Sequence, residues 1–141
     1  MKARITRTLE HRGTDDWGCG DFGASRGSRT HKGIDYCADV GDEICSPATG
    51  SVTKLGYPYA PKPGDKTTFR YVEVTDYQGF RHRVFYIDPI VQMDRHLKEG
   101  DIIGIQQDIA GKYSSAEKGQ MRNHCHYEIL DLEGNPVDPE A

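Results

Sequence analysis

The stretch Asn123-His124-Cys125-His126-Tyr127-Glu128-Ile129-Leu130-Asp131-Leu132 decides how this chain is read. In an extended backbone, residues i and i+2 point to the same face. His124 and His126 then project side by side, and Cys125, Tyr127 and Ile129 fall on the opposite face, where they can fill a core. Two imidazoles on one sheet surface can both serve a metal, or one can bind it while its neighbour handles protons. Two exposed histidines on a polar strand would give the same letters, so the pair gains meaning only from a partner segment.

Upstream, the same period of two recurs. Residues 70–77 (RYVEVTDY) alternate Tyr71, Glu73 and Thr75 with Val72, Val74 and Asp76. Residues 81–87 (RHRVFYI) follow Gln78-Gly79, so a hairpin is expected. Residues 101–107 (DIIGIQQ) read as another short strand, and residues 33–57 as short strands punctuated by Gly and Pro. Residues 58–65 (PYAPKPGD) hold three prolines and a glycine and must form a loop. The polar run 110–122 reads as a loop of the length that often carries function. Only residues 93–96 and 114–118 invite a helical turn. The sum is a mainly β, antiparallel sheet domain with long groove-forming loops. Residues 1–18 are expected to form an arm or first edge strand, and residues 19–141 the domain proper. The three longest loops, 20–30, 57–67 and 111–122, are the expected groove walls, because loops on a rigid sheet are where recognition usually sits.

Composition agrees with short strands and loops. The 141 residues suit one domain able to bury its own core. Only 35 % are hydrophobic and 16 are Gly, which suits turns better than helical bundles. The formal charge of −4, without a long basic run, gives no nucleic-acid footprint. No apolar run approaches ~18 residues, so no membrane span is expected. The first ten residues lack the apolar segment of a secretory signal. Cys19, Cys37, Cys45 and Cys125 match no zinc ribbon. Cys37 with Cys45, or Cys19 with Cys37, could bridge; four free thiols is the plainer alternative.

A partner for the two histidines lies at His31-Lys32-Gly33-Ile34-Asp35. Fully extended, His31 and Asp35 would stand about 13 Å apart at ~3.3 Å per residue, too far for one ion. Gly33 permits the bend that could bring them together. Two His and one Asp would leave the fourth position of a tetrahedral zinc open for water, the catalytic rather than the structural pattern.

These segments resemble the lysostaphin-like zinc endopeptidases, which cleave peptide cross-links of bacterial cell walls. FGASR (22–26) resembles the family's Phe-Gly-x-Arg loop and HKGIDY (31–36) its first metal motif. SPATGSV (46–52) and KEGDIIG (98–104) resemble two of its turn-and-strand segments. NHCHYEI (123–129) resembles its His-Leu-His-Phe-Glu strand, and NPVDP (135–139) its closing turn. The resemblance implies the lysostaphin-like peptidase fold, Zn2+ as cofactor, His31, Asp35 and His126 as its ligands, and His124 as a catalytic histidine. It departs at Asp88, which stands where active members carry a second catalytic histidine. FYIDPI (85–90) and the loop 19–35 are closer to the leukocyte cell-derived chemotaxin branch, which shares the fold and acts in signalling. Asp88 is then either a replacement base or the opening residue of a turn before Pro89. Tyr86 and Asp88 are expected on one face, with Phe85 and Ile87 on the other. His82 is some 20 Å from Asp88 in an extended chain and is no simple substitute. His96 lies beyond the strand, and His11 reads as a surface residue.

The expected function is zinc-dependent cleavage of peptidoglycan cross-links. The alternative is a catalytically impaired zinc module that binds cell wall or a protein partner. The site of action is expected outside the cytoplasm. A phage chain carried in the virion among other virion proteins, or a trimmed piece of a longer secreted protein, would reconcile that with the missing secretion signal.

Overall fold

Val72 and Val74 are fully buried, and the valine spacing that suggested a strand carries the centre of the largest sheet. The computed structural model describes residues 5–26, 30–65 and 67–140. In chain order the strands are β1 (Thr14–Asp15), β2 (Gly18–Cys19), β3 (Ile34–Cys37), β4 (Glu43–Cys45), β5 (Gly50–Gly56) and β6 (Tyr71–Asp76). There follow β7 (Arg81–Phe85), β8 (Ile87–Pro89), β9 (His96–Leu97), β10 (Ile102–Gln106), the short helix α1 (Ile109–Tyr113), β11 (His124–Leu130) and β12 (Pro136–Val137).

The main sheet runs β12-β11-β7-β6-β5-β9, with β3 also paired to β11. A second sheet runs β4-β10-β8, and β1 pairs with β2 as a separate ribbon. Every pairing is antiparallel. One face of the main sheet carries Val72, Val74, Val84, Cys125 and Tyr127 into a core shared with Ile44, Ile87 and Ile103. The other face carries polar groups. β11 pairs with β3 so that His126 lies opposite Asp35, and with β7 so that His126 lies opposite Phe85.

The expected hairpin forms, with Gly79 at φ +85° in its turn. The helical turns expected at 93–96 and 114–118 do not. His96 enters β9 instead, and the helix lies at Ile109–Tyr113, overlapping the start of the stretch read as loop. Asp108 caps it by accepting from the Gly111 amide, and the Asn123 side chain accepts from the Ala110 amide. That second cap comes from a residue distant in sequence.

The described part of the expected N-terminal arm is laced into the domain. Ile5 is buried in the core. The amides of Cys37 and Cys45 donate to the carbonyls of Glu10 and Ile5, at 2.6 and 2.9 Å. Residues 1–4 of that arm, and residues 27–29 and 66 of the expected groove walls, lie outside the described residues. All four cysteines are free thiols.

Candidate metal centre

Three elements converge on one end of the polar face. β11 presents His124 and His126, β3 presents Asp35, and the turn before β3 presents His31. Gly33 makes the convergence possible, because a Cβ there would lie 2.2 Å from the Tyr127 carbonyl oxygen and 2.9 Å from His126 Cε1. Only a residue without a side chain lets the chain turn so close to β11.

His31 Nε2 lies 2.9 Å from His126 Nδ1 and 3.3 Å from Asp35 Oδ1. His126 Nδ1 lies 3.0 Å from the same Asp35 oxygen. These three atoms form one group able to hold a metal ion. Donors ~2.0–2.2 Å from a tetrahedral zinc stand about 3.4 Å apart, so the triangle is slightly tighter than a zinc site and of the right shape. The donor set, two imidazoles and one carboxylate, also suits zinc.

Each donor is held from behind. Glu128 Oε1 accepts from His126 Nε2 at 2.9 Å, which turns His126 Nδ1 toward the other donors. The Asp21 carbonyl lies 3.1 Å from His31 Nδ1. Arg12 Nη1 donates to Asp35 Oδ2 at 3.0 Å. Burial alone would raise the Asp35 pKa, but bonds to His126 and His31 outweigh it and hold the carboxyl well below its usual range. Burial alone would likewise lower the His126 pKa, but Asp35 and Glu128 outweigh it and bring it to about 9. A cluster that stabilises positive charge on an imidazole is electrostatically suited to a cation.

His124 stands beside the triangle. Its Nδ1 lies 2.7 Å from the Arg122 carbonyl, which only an N–H can satisfy, so Nε2 is left facing the site. Burial, partly offset by Asp35, lowers its pKa. His31, Asp35, His124 and His126 all open onto one cavity of about 550 Å³. Each expected groove wall contributes to it: Arg26 and Thr30, Pro58 and Tyr59, Tyr113 and Met121.

Asp88 is not brought to this cavity. It is exposed on β8, paired with Ile105 in the smaller sheet. The expected alternation breaks at Tyr86, whose φ of +72° separates β7 from β8. Phe85 and Tyr86 therefore both line the cavity, although they are consecutive. Tyr86 packs edge-on against His124 with ring centroids 5.7 Å apart, and its hydroxyl lies 3.2 Å from that of Tyr59. His82 is buried between Asp76 and Tyr127, 2.8 Å from each. His96 is exposed on β9. His11 is exposed and bonds Glu140.

Four residues around the site escaped the sequence reading. Glu128 was within reach, since it lies two positions after His126 on a strand. Tyr86 was not, because nothing in its letters announces a left-handed backbone. Arg12 and Asp15 were not, because their partners lie far along the chain.

On the polar face of this β domain, two histidines and an aspartate meet in an open cavity as a group that could hold a metal ion. The chain belongs to peptidase family M23, which matches residues 29–139. It is also similar to leukocyte cell-derived chemotaxin-2 of Mus musculus, 29 % identical over 122 residues, covering 86 % of this chain and 74 % of that protein. The Bos taurus protein of the same name is 28 % identical over 123 residues, covering 87 % and 75 %. Among solved structures, a variant of the catalytic domain of prophage-encoded M23 protein EnpA from Enterococcus faecalis superposes with a TM-score of 0.59 at 22 % identity, covering 86 % of each chain. Lysostaphin from Staphylococcus simulans gives 0.60 at 17 % identity, covering 94 % of this chain and 53 % of that one. Helicobacter pylori Csd3 gives 0.64 at 18 % identity; the match covers 99 % of this chain but only 34 % of Csd3. Among the described residues no helix is long and apolar enough to cross a membrane.

Proposed function

We propose that this chain is a zinc-dependent endopeptidase acting outside the cytoplasm on the peptide cross-links of bacterial peptidoglycan. The observation that carries this reading is the shared cavity, into which the donor triangle and the spare nitrogen of His124 both open. His31 Nε2, Asp35 Oδ1 and His126 Nδ1 would hold the ion. When bound, zinc supplies Lewis acidity for the scissile carbonyl and makes water acidic enough to yield a nucleophile near neutral pH.

The chain's own residues do the rest. His124 keeps its Nδ1 proton on the Arg122 carbonyl and presents Nε2 as the base that takes the proton of the attacking water. The resulting imidazolium then gives its proton to the departing amine. Tyr86 offers an O–H to the developing oxyanion, the donor role left open by Asp88. Trp17, Tyr59 and Tyr113 line the cavity and would pack against the bound peptide.

A second reading is a binding module of the same fold, favoured by the chemotaxin similarity and by the placement of Asp88 away from the cavity. Digestion of purified peptidoglycan with and without a chelator, read by mass spectrometry of the fragments, separates the two. Chelator-sensitive release of peptide fragments supports the enzyme. Binding to the sacculus without release supports the module.

A further inference from the structure

Arg12 lies outside the stretch that matches the family, yet its side chain is nearly as buried as that of Asp35, at 4 % and 2 % exposed. We infer that Arg12, clamped by Asp15, is a positioning residue of the metal centre, reserving one oxygen of Asp35 for itself and leaving the other to the ion. The inference rests on the reading of His31, Asp35 and His126 as metal ligands.

The geometry is specific. Arg12 Nε and Nη2 donate to the two oxygens of Asp15, both at 2.8 Å, a bidentate pair that fixes the plane of the guanidinium. Its remaining arm, Nη1, donates to Asp35 Oδ2 at 3.0 Å. Asp35 Oδ1 is the oxygen that faces His31 and His126. A carboxylate with a free second oxygen can close on an ion with both, which would consume the position a substrate or water needs. The Arg12 fork removes that option.

The backbone is built around this pair. The Arg12 amide donates to the Asp35 carbonyl, the Asp35 amide to the Gly20 carbonyl, and the Gly20 amide to the Gly13 carbonyl, each at 2.8 Å. A Cβ on Gly20 would stand 3.0 Å from Asp35 Oδ2 and 3.1 Å from Arg12 Cβ, so the glycine makes room for the contact. Asp15 reaches further still. Its Oδ2 accepts from the Arg122 amide at 2.8 Å, and the Arg122 carbonyl is the partner of His124 Nδ1. One partly buried carboxylate thus ties the orientation of Asp35 to that of His124.

The test uses the full chain with Arg12→Ala and Asp15→Asn. Zinc affinity is measured by chelator competition, and coordination by the visible spectrum of the cobalt-substituted protein. Partners behind metal ligands typically contribute ~10–100-fold in metal affinity. Arg12→Ala should weaken zinc binding by that factor and shift cobalt from the intense bands of four-coordination toward the weaker bands of higher coordination. Arg12→Lys, which keeps the charge but not the fork, should restore affinity in part and the spectrum little. Asp15→Asn should move both readouts the same way by less, and it decides the matter if Arg12→Ala does not fold. A merely structural Arg12 would lower the melting temperature of the metal-free protein and leave zinc affinity and the cobalt spectrum unchanged, which would overturn the inference. A wild-type chain that takes up no zinc would overturn the metal-centre reading itself, and this inference with it.

Discussion

His126 uses both ring nitrogens, one toward the donor triangle and one on Glu128. Its replacement by Ala, like that of His31 or Asp35, should abolish stoichiometric zinc after dialysis, as read by elemental analysis. His124→Ala should keep the ion, because His124 Nε2 stands outside the triangle, 3.5 Å from Asp35 Oδ2. If it loses zinc as readily as His126→Ala, the division between ligand and base is wrong. Tyr86 and Asp88 form the complementary pair. Tyr86→Phe removes only the hydroxyl, and loss of one oxyanion donor costs ~10²–10³ in kcat in a known hydrolase. A fall of that order with KM little changed is expected for peptidoglycan hydrolysis. Asp88→Asn should leave the rate alone, since Asp88 is exposed on the smaller sheet. The reverse pattern would return the catalytic role to Asp88.

The strands that hold these residues were legible wherever a period of two ran unbroken, as in β6, β7 and β11. The alternation placed Val72, Val74, Cys125 and Tyr127 in the core and His124 with His126 on the other face. It failed where a single backbone angle reverses direction. Tyr86 at φ +72° is a conformation that costs a residue with a side chain ~1–3 kcal/mol, and such strain clusters at functional sites. The helix Ile109–Tyr113 was missed for a related reason: its caps are Asp108 and the distant Asn123 rather than a local apolar stripe. The polar ladder behind the site was equally hidden. Glu73 accepts from Arg83 at 2.9 Å, Arg83 approaches Glu128 at 3.8 Å, and Glu128 holds His126, across three neighbouring strands. Gly33 tests the junction of β3 with β11. Gly33→Ala forces a Cβ against the Tyr127 carbonyl, with no flexible side chain to yield. Overpacking of this kind costs ~1–3 kcal/mol, so the urea midpoint should fall and zinc affinity with it. An unchanged midpoint would mean that β3 can slide without loss.

At the scale of the whole molecule, Arg12 and Asp15 tie the described N-terminal residues by charge and hydrogen bonds to Asp35 and Arg122, while a bound ion would join the turn before β3 to β3 and β11. Burial alone would raise the Asp15 pKa, but the Arg12 pair and the amides of Arg122 and Trp17 bring it down to about 2. The unfolded chain takes that proton first, near pH ~3.9. The stability Asp15 contributes is therefore complete above about pH 4 and drains as pH falls through 2. Asp15→Asn should flatten this acid limb in denaturant titrations, whereas an unchanged limb would place the acid sensitivity elsewhere. Zinc would act on the same assembly from the other side. Its donors would come from the turn before β3, from β3 and from β11, with His31 and His126 95 residues apart in sequence, and the unfolded chain could not gather them. An ion that binds only the folded state stabilises it by ~4 kcal/mol when free zinc exceeds the dissociation constant a thousandfold. For a domain of this size that corresponds to roughly ten degrees in melting temperature. Chelation should lower the calorimetric transition by about that much, and added zinc should restore it. His31→Ala should melt near the metal-free temperature and ignore both treatments. A wild-type transition indifferent to zinc would mean that the triangle, whatever its shape, holds no ion in the folded chain.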